Sequence, residues 1–414
     1  EMLWARLLPL LAVVAVATSK SVDPDANRPW CEIVKNKGFL CENHTAVTAD
    51  GYHLTLFRIP PQQQAQGSGL PPVLLQHGLL DSSFTWIVNE ANESLPYLLS
   101  AAGHDVWLGN ARGCRYSLGH NTLSPDSDEF WDFSWDELAQ YDFPTEIEYV
   151  LKETGAPALA YVGHSQGTTM AFAGLTLNPA LASKLLVFVG LGPAITVRHT
   201  TNKALRFLHT LRAVDFIDIF DKKSFLVTGP KFQHLAEAVC GDDPSVCADV
   251  VEVICGKHRG AFNSSRLSVV GGHEPGGTSV KNLQKWSQSI GTPNFQWFDY
   301  GPKGNREHYN ATTPPRHTPS PLHLHLIPSP ASPLPSLPLS RLMQHLPSPP
   351  PIIPSTLSTD ACDVCPTNTT ATTCLCSHPR CVLSCTVEMQ TNSLTRQTSL
   401  TSCLSSTPTP PRCT

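Results

Sequence analysis

The chain has 414 residues, of which 41% are hydrophobic, and a formal net charge of -5; that is enough apolar content for a real core in one large domain or two ordinary ones. Acidic and basic residues are interspersed, which gives no basis for a nucleic-acid partner, and no heptad or solenoid period runs through the sequence. The only long apolar run lies at the start and is too short to span a bilayer comfortably, so no transmembrane segment is expected.

That run, Leu7 to Ala17, follows Arg6 and ends in the small residues Ala15, Ala17 and Thr18. A charged, then apolar, then small-residue order is the layout of a secretory signal peptide, assigned to 1–18. Sequons at Asn43, Asn92, Asn263, Asn310 and Asn368 agree with passage through the secretory pathway. In an oxidising compartment Cys31 can pair with Cys41, or Cys240 with Cys247, which leaves Cys255 and Cys114 free.

From Trp30 to about Thr312 short β-rich runs alternate with helical patterns. His44 to Thr48 and His53 to Ile59 flank Ala49-Asp50-Gly51 and read as an antiparallel hairpin. Pro72 to Gln76 is an apolar strand ending in the turn His77-Gly78, and Asp105 to Asn110 is another strand. Asp136 to Thr154 carries Leu138, Tyr141, Ile147, Val150 and Leu151 at helical spacing, with Pro144 expected to kink or restart the helix. Ala158 to Val162 is a short buried strand, Thr168 to Leu177 a helix, and Leu185 to Leu191 one more strand. Alternation of this kind predicts an α/β fold with a largely parallel sheet and helices on both faces.

Between the strand at Ala158 and the helix at Thr168 stands Gly163-His164-Ser165-Gln166-Gly167. A G-x-S-x-G pentapeptide is weak as a string of letters, but strand, tight turn and helix is the setting of a hydrolase nucleophile elbow, with Ser165 as the nucleophile rather than an ordinary turn serine. Acyl transfer needs two aligned N–H donors for the oxyanion. Gln166 supplies one from the residue after the nucleophile, and the turn His77-Gly78-Leu79-Leu80 supplies the other through the amide of Leu79. His77 and His164 are read as structural or positioning residues, because neighbours on an elbow project away from the nucleophile.

Residues from about Glu32 to Pro315 resemble the acid lipase family, which includes lysosomal acid lipase and gastric lipase. The resemblance is carried by Gln76-His77-Gly78-Leu79-Leu80, by Asp105 to Asn110 with Arg112-Gly113, by Ser134-Trp135-Asp136-Glu137 and Tyr141-Asp142, by Tyr161 to Thr169, and by Gly276-Gly277-Thr278-Ser279-Val280 with Trp286-Ser287-Gln288. It implies an α/β-hydrolase fold with a core over 30–192, a helical cap or lid over 193–286 and a return to the core over 287–314. It further implies hydrolysis of neutral-lipid esters, triacylglycerols or cholesteryl esters, at a lipid-water interface, without cofactor or metal, in a secretory-pathway protein that is lysosomal or extracellular. By resemblance Ser165 is the nucleophile, Leu79 and Gln166 are the oxyanion donors, and Cys240 with Cys247 corresponds to the family disulfide at a shorter spacing. Asn92, Asn263 and Asn310 fall where family glycosylation sites fall, and Leu205, Phe207, Leu208 and Phe216 would face lipid from the cap.

After Pro314 the sequence changes character: residues 315–414 are crowded with Pro, Ser and Thr and are expected to be disordered or non-native. Cys362, Cys365, Cys374, Cys376, Cys381 and Cys385 lie there without the paired spacing of zinc ribbons, so no metal is assigned. In the family the catalytic acid follows a strand reading roughly V-W-x-G-G-x-D and the histidine sits in a later H-x-D-F. Neither motif occurs here, no catalytic Asp or His is assigned, and His317, His323, His325, His345, His378, Asp360 and Asp363 receive no role. The expectation is an acid lipase-type serine esterase lacking the family's last strands, with a catalytically dead lipid-binding homologue, or a truncated product of read-through or a frame slip at Pro315, as alternatives.

Overall fold

The computed structural model describes residues 23–62, 69–201, 223–227 and 263–318, together with Arg206 and His209. Residues 1–18, read as a signal peptide, together with Leu205, Phe207, Leu208, Phe216, Cys240, Cys247, Asn368 and residues 319–414, lie outside the described residues.

The opening hairpin forms as its turn signal requires. β1 (Glu42–Val47) pairs antiparallel with β2 (Tyr52–Ile59) around Gly51, whose φ of +100° suits a residue without Cβ. β3 (Val73–Gln76), β4 (Val106–Gly109), β5 (Gly119–His120), β6 (Leu159–His164) and β7 (Leu185–Leu191) complete one sheet in the order β1-β2-β4-β3-β6-β7, with β5 also on β2. β4, β3, β6 and β7 run parallel, while the hairpin joins β4 antiparallel.

Successive strand residues point to opposite faces, so the sheet builds two cores. Leu74, Trp107, Leu159 and Tyr161 face α3 (Trp135–Glu137), α4 (Phe143–Thr154) and α5 (Gln166–Leu177). Val73, Leu75, Val106, Leu108 and Val162 face the other way, toward Trp30, Ile33 and Val34 of α1 (Trp30–Asn36) and toward Tyr97 of α2 (Leu95–Ala101). A Cys31–Cys41 disulfide, with Cα atoms 5.4 Å apart, ties α1 to the chain entering β1, and Cys114 is free and buried.

The helical stretch around Pro144 divides as its proline demands. α3 opens on a capping box between Ser134 and Glu137, widens into a π-helical turn over Leu138–Asp142, and restarts as α4 with Pro144 in its first turn. The widened turn presents Asp142 to Arg112 Nε at 2.8 Å, and Arg112 also reaches Asp50 and lies 4.0 Å over the Tyr52 ring. Burial alone would lower the Arg112 pKa, but the Asp142 and Asp50 carboxylates override it and push it up. One guanidinium thereby joins the hairpin turn, the exit of β4 and the middle helix.

The remaining described elements are β8 (Ser224–Phe225) with β9 (Thr278–Ser279), α6 (Leu267–His273), α7 (Val280–Gly291) and α8 (Gly301–Tyr309). The described chain continues past Pro314: Gln296 bridges Arg316, and His317 N–H donates to the Phe295 carbonyl at 2.9 Å. Among the described residues β7 pairs only with β6, and Leu186, Val187, Val189 and Leu191 on it are exposed.

Two stability tests follow. Replacing Arg112 by Met leaves Asp142 buried without its cation, and the expected cost is about 3–5 kcal/mol in urea unfolding. Glu146 on α4 is wholly buried with neither carboxyl oxygen partnered among the described residues, and burial, then the Asp142 charge, holds its pKa well above the usual carboxyl range. A raised folded-state pKa means its contribution is fully present below about pH 4.3 and is lost as pH climbs through the raised value. Glu146→Gln is therefore expected to flatten the fall in melting temperature with rising pH and to gain on the order of 1–3 kcal/mol at pH 8; an unchanged pH dependence contradicts this account.

Candidate active site

β6 hands over to α5 through a single residue, Ser165, which sits at φ +48°, ψ -113°. That backbone costs a non-glycine residue roughly 1–3 kcal/mol. It is held by Ser165 N–H donating to the Leu191 carbonyl at 2.9 Å, and by Thr168 N–H and Oγ1 donating to the Ser165 carbonyl at 2.9 and 2.6 Å. The tight turn leaves no room for side chains where the backbones meet. A Cβ on Gly163 would stand 2.8 Å from the Gly167 backbone, and one on Gly167 would stand 2.7 Å from the Gln76 carbonyl oxygen.

The second strand end, after β3, arrives at the same place. A Cβ on Gly78 would lie 3.2 Å from Ser165 Cβ, so the His77-Gly78-Leu79-Leu80 turn abuts the serine. The Gln166 N–H is the first of α5 and belongs to the N-terminal donors that no helix bond satisfies. Its side chain is anchored separately: Gln166 Oε1 accepts from Asn282 Nδ2 at 2.8 Å and Trp286 Nε1 at 2.7 Å, both on α7. The Leu79 side chain packs toward Val280 and Leu283 of α7. Helix α7 thus supports both residues read from the sequence as oxyanion donors. Ser165 is half-buried, and its Oγ bonds to no described residue.

No described histidine is hydrogen-bonded to Ser165 Oγ. His77 is buried, donates from Nδ1 to the Gly78 carbonyl at 2.8 Å and accepts the Ala111 N–H on Nε2 at 3.1 Å, and burial lowers its pKa. His164 is exposed, with Nδ1 3.9 Å from Asp81 Oδ2. His273 stacks on Phe84 with ring centroids 3.9 Å apart, donates to the Asp25 carbonyl, and is lowered to about 4, chiefly by burial. His308 stacks on Tyr300 at 3.8 Å.

His317, which received no role above, is buried with Nε2 3.1 Å from Asp136 Oδ1, among the rings of Trp135, Phe295 and Trp297. Lys285 Nζ lies 3.7 Å from Asp136 Oδ2 and is lowered to about 8 by burial, against the raising effect of Asp136. Sequence reasoning missed this cluster because its members lie on three separate segments. It also missed Asp81 and Glu274, which lie directly behind the Leu79 turn; the one available signal was an acidic residue immediately after Gly78-Leu79-Leu80.

Asn92, Asn263 and Asn310 are all exposed. Among the described residues no group of three or more His, Cys, Asp or Glu is placed to hold a metal, and no helix is long and apolar enough to cross a membrane.

Residues 31–90 match the family model for a partial alpha/beta-hydrolase lipase region, and residues 71–299 match that for the alpha/beta hydrolase fold. Gastric triacylglycerol lipase of Rattus norvegicus is 40% identical over 71% of this chain and 76% of its own length. Lysosomal acid lipase/cholesteryl ester hydrolase of Homo sapiens is 40% identical over 71% of this chain and 75% of its own. Lipase member M of Homo sapiens is 40% identical over 72% of each chain. A strand-turn-helix serine site, two matching family models and relatives of this identity across most of their length lead to one conclusion: the chain belongs to the acid lipase family of carboxylic ester hydrolases, on the α/β-hydrolase fold.

Proposed function

We propose that the chain is a serine ester hydrolase acting on neutral-lipid esters, triacylglycerols or cholesteryl esters, in lipid catabolism. Ser165 is the nucleophile, and the amides of Leu79 and Gln166 receive the oxyanion of the tetrahedral intermediate. The single observation that carries this reading is the strained φ of Ser165 at the mouth of α5, with the Gly78 turn closed against it. Strain of this kind persists where the surroundings over-determine it, and it holds a hydroxyl out of the backbone's reach at the positive end of a helix. The substrate class comes from the relatives, whose names give triacylglycerol and cholesteryl ester as what they act on. Passage through the secretory pathway, toward a lysosomal or extracellular location, is supported by the Cys31–Cys41 disulfide and by exposed sequons at Asn92, Asn263 and Asn310. Cap residues over 193–286 and the Cys240–Cys247 pairing belong to the same proposal.

A second reading is favoured by a specific observation: none of the 414 residues forms either motif that carries the acid and the histidine in this family. Loss of a catalytic triad in other serine hydrolases costs about 10⁶-fold, with the oxyanion hole and binding leaving a residual rate. On that reading the chain binds neutral lipid without turning it over.

A fluorophosphonate probe separates the two. The purified chain is expected to be labelled at Ser165 within minutes and to release fatty acid from a triacylglycerol emulsion, an outcome that requires a residue of the chain to take up the serine proton, and Ser165→Ala abolishes both. Retained lipid binding with no labelling of the parent chain establishes the second reading. Labelling that survives Ser165→Ala overturns the assignment of the nucleophile. Expression in a secretory host adds a check on location: Asn92→Gln, Asn263→Gln and Asn310→Gln should each speed migration by one glycan, and a chain that never acquires glycan contradicts the proposed route.

A further inference from the structure

A pair of carboxyl groups stands behind the turn that carries Leu79. Asp81 Oδ2 lies 3.4 Å from the Gly78 nitrogen, and Asp81 Oδ1 accepts the Ser82 N–H at 2.9 Å, so one side chain holds both flanks of Leu79-Leu80. Leu80 sits at φ +60°, a conformation unfavourable for its side chain that the surrounding bonds must maintain. The wholly buried Ser82 donates its hydroxyl to Glu274 Oε1 at 2.6 Å. Gly276 N–H donates to the Leu80 carbonyl at 2.8 Å, and a Cβ on Gly276 would run into the Asp81 carbonyl. The segment Glu274–Gly276 is thus clamped against the turn from behind. It is fastened in its own place by Arg115, whose N–H donates to the Gly276 carbonyl and whose guanidinium donates to the carbonyls of Gly272 and His273.

Part of Glu274 is exposed, but Oε2 is closed off from solvent and no described group donates to it. Burial, and after it the Asp81 carboxylate, raises the Glu274 pKa well above the usual carboxyl range, against the smaller opposing effects of Ser82 and Arg115. The other titratable groups facing the pair are His77 and His164 on the Asp81 side and Cys114 and Tyr116 on the Glu274 side. None of these donates to Oε2 in place of a proton. Asp81 bonds the Gly78 and Ser82 nitrogens while Glu274 bonds the Ser82 hydroxyl, so both carboxyls serve one short turn, and two carboxyls that share a site do not both ionise without cost.

We infer that Glu274 and Asp81 form a proton-dependent clamp that positions the Leu79 amide: with Glu274 neutral the 78–82 turn is held in shape for an oxyanion, and loss of that proton to water loosens it. Glu274 and Asp81 are positioning residues, and the inference rests on the proposed role of Leu79. A raised folded-state pKa makes the clamp whole below about pH 4.3 and lets it fail as pH rises through the raised value.

The test uses the full chain and its Glu274→Gln variant, which stays neutral at every pH. The ratio of fluorophosphonate labelling rates, variant over parent, is expected to be near one at pH 5 and to rise to about tenfold at pH 8, a fraction of what deletion of an oxyanion donor costs. Taking the ratio cancels the titration of any base. Hydrogen exchange of the peptide 76–86, compared at each pH between the same two proteins, needs no reactive serine, and the parent should lose protection relative to the variant as pH rises. If neither protein is labelled but exchange diverges with pH, the proposed function fails while the clamp stands. An exchange ratio independent of pH overturns the clamp. Should Glu274→Gln fold poorly, Glu274→Met, which likewise carries no charge at any pH, is expected to show the same divergence.

Discussion

The site depends on one steric constraint: β6 must turn into α5 through a single residue while β3 ends alongside. That turn places Ser165 at positive φ and brings the backbones of 163 and 167 to within contact of each other and of Gln76. Only glycine fits at those two positions. Other features of the site follow from this crossing. The first N–H of α5 is left without a helical partner, and the turn after β3 closes to van der Waals distance of the serine side chain. α7 holds the Gln166 side chain through Asn282 and Trp286.

Much of this frame was legible from local chemistry. Alternating apolar residues gave the strands, because each strand must feed two cores at once, as Leu74 against Val73 and Leu75 illustrates. Pro144 signalled a break whose form it did not specify. The structure resolves it as a π-helical turn, because that widening lets Asp142 meet Arg112 while Pro144 opens the next helix. The choice among disulfide partners was open in the sequence. Cys31 and Cys41 are brought together because α1 packs Trp30 onto Phe57 of β2, with stacked rings 4.2 Å apart, and the chain must return at once to start β1.

What stayed hidden is long-range and polar. The Asp136–His317–Lys285 cluster joins residues from α3, α7 and the chain beyond Pro315, and nothing in any one segment announces the other two. A histidine followed by Thr-Pro-Ser-Pro reads as the start of a low-complexity tail. In the structure the same histidine fills an aromatic cage and faces a buried carboxylate. Glu274 was equally invisible, since its partners Ser82 and Asp81 lie nearly two hundred positions earlier along the chain. Sequence patterns report periodic burial well; they do not report which polar groups are carried into the same dry space.

Glu146 and Glu274 both carry a carboxyl oxygen that is closed off from solvent without a described donor, yet they act on different parts of the fold. Glu146 lies on α4 beside Gln76 of β3, and a side chain at Gly109 would strike both, so its cost falls on the sheet itself. Glu274 lies outside the sheet, bonded to a loop whose backbone is already in an unfavourable conformation, so its cost falls on the loop. Segments outside the packed sheet can open locally at a free energy below that of global unfolding. The same change of charge therefore shifts global unfolding at the first position and the shape of a single turn at the second. A group placed to move one turn without unfolding the sheet can gate a reaction, and that separates the clamp at Glu274 from the buried load at Glu146.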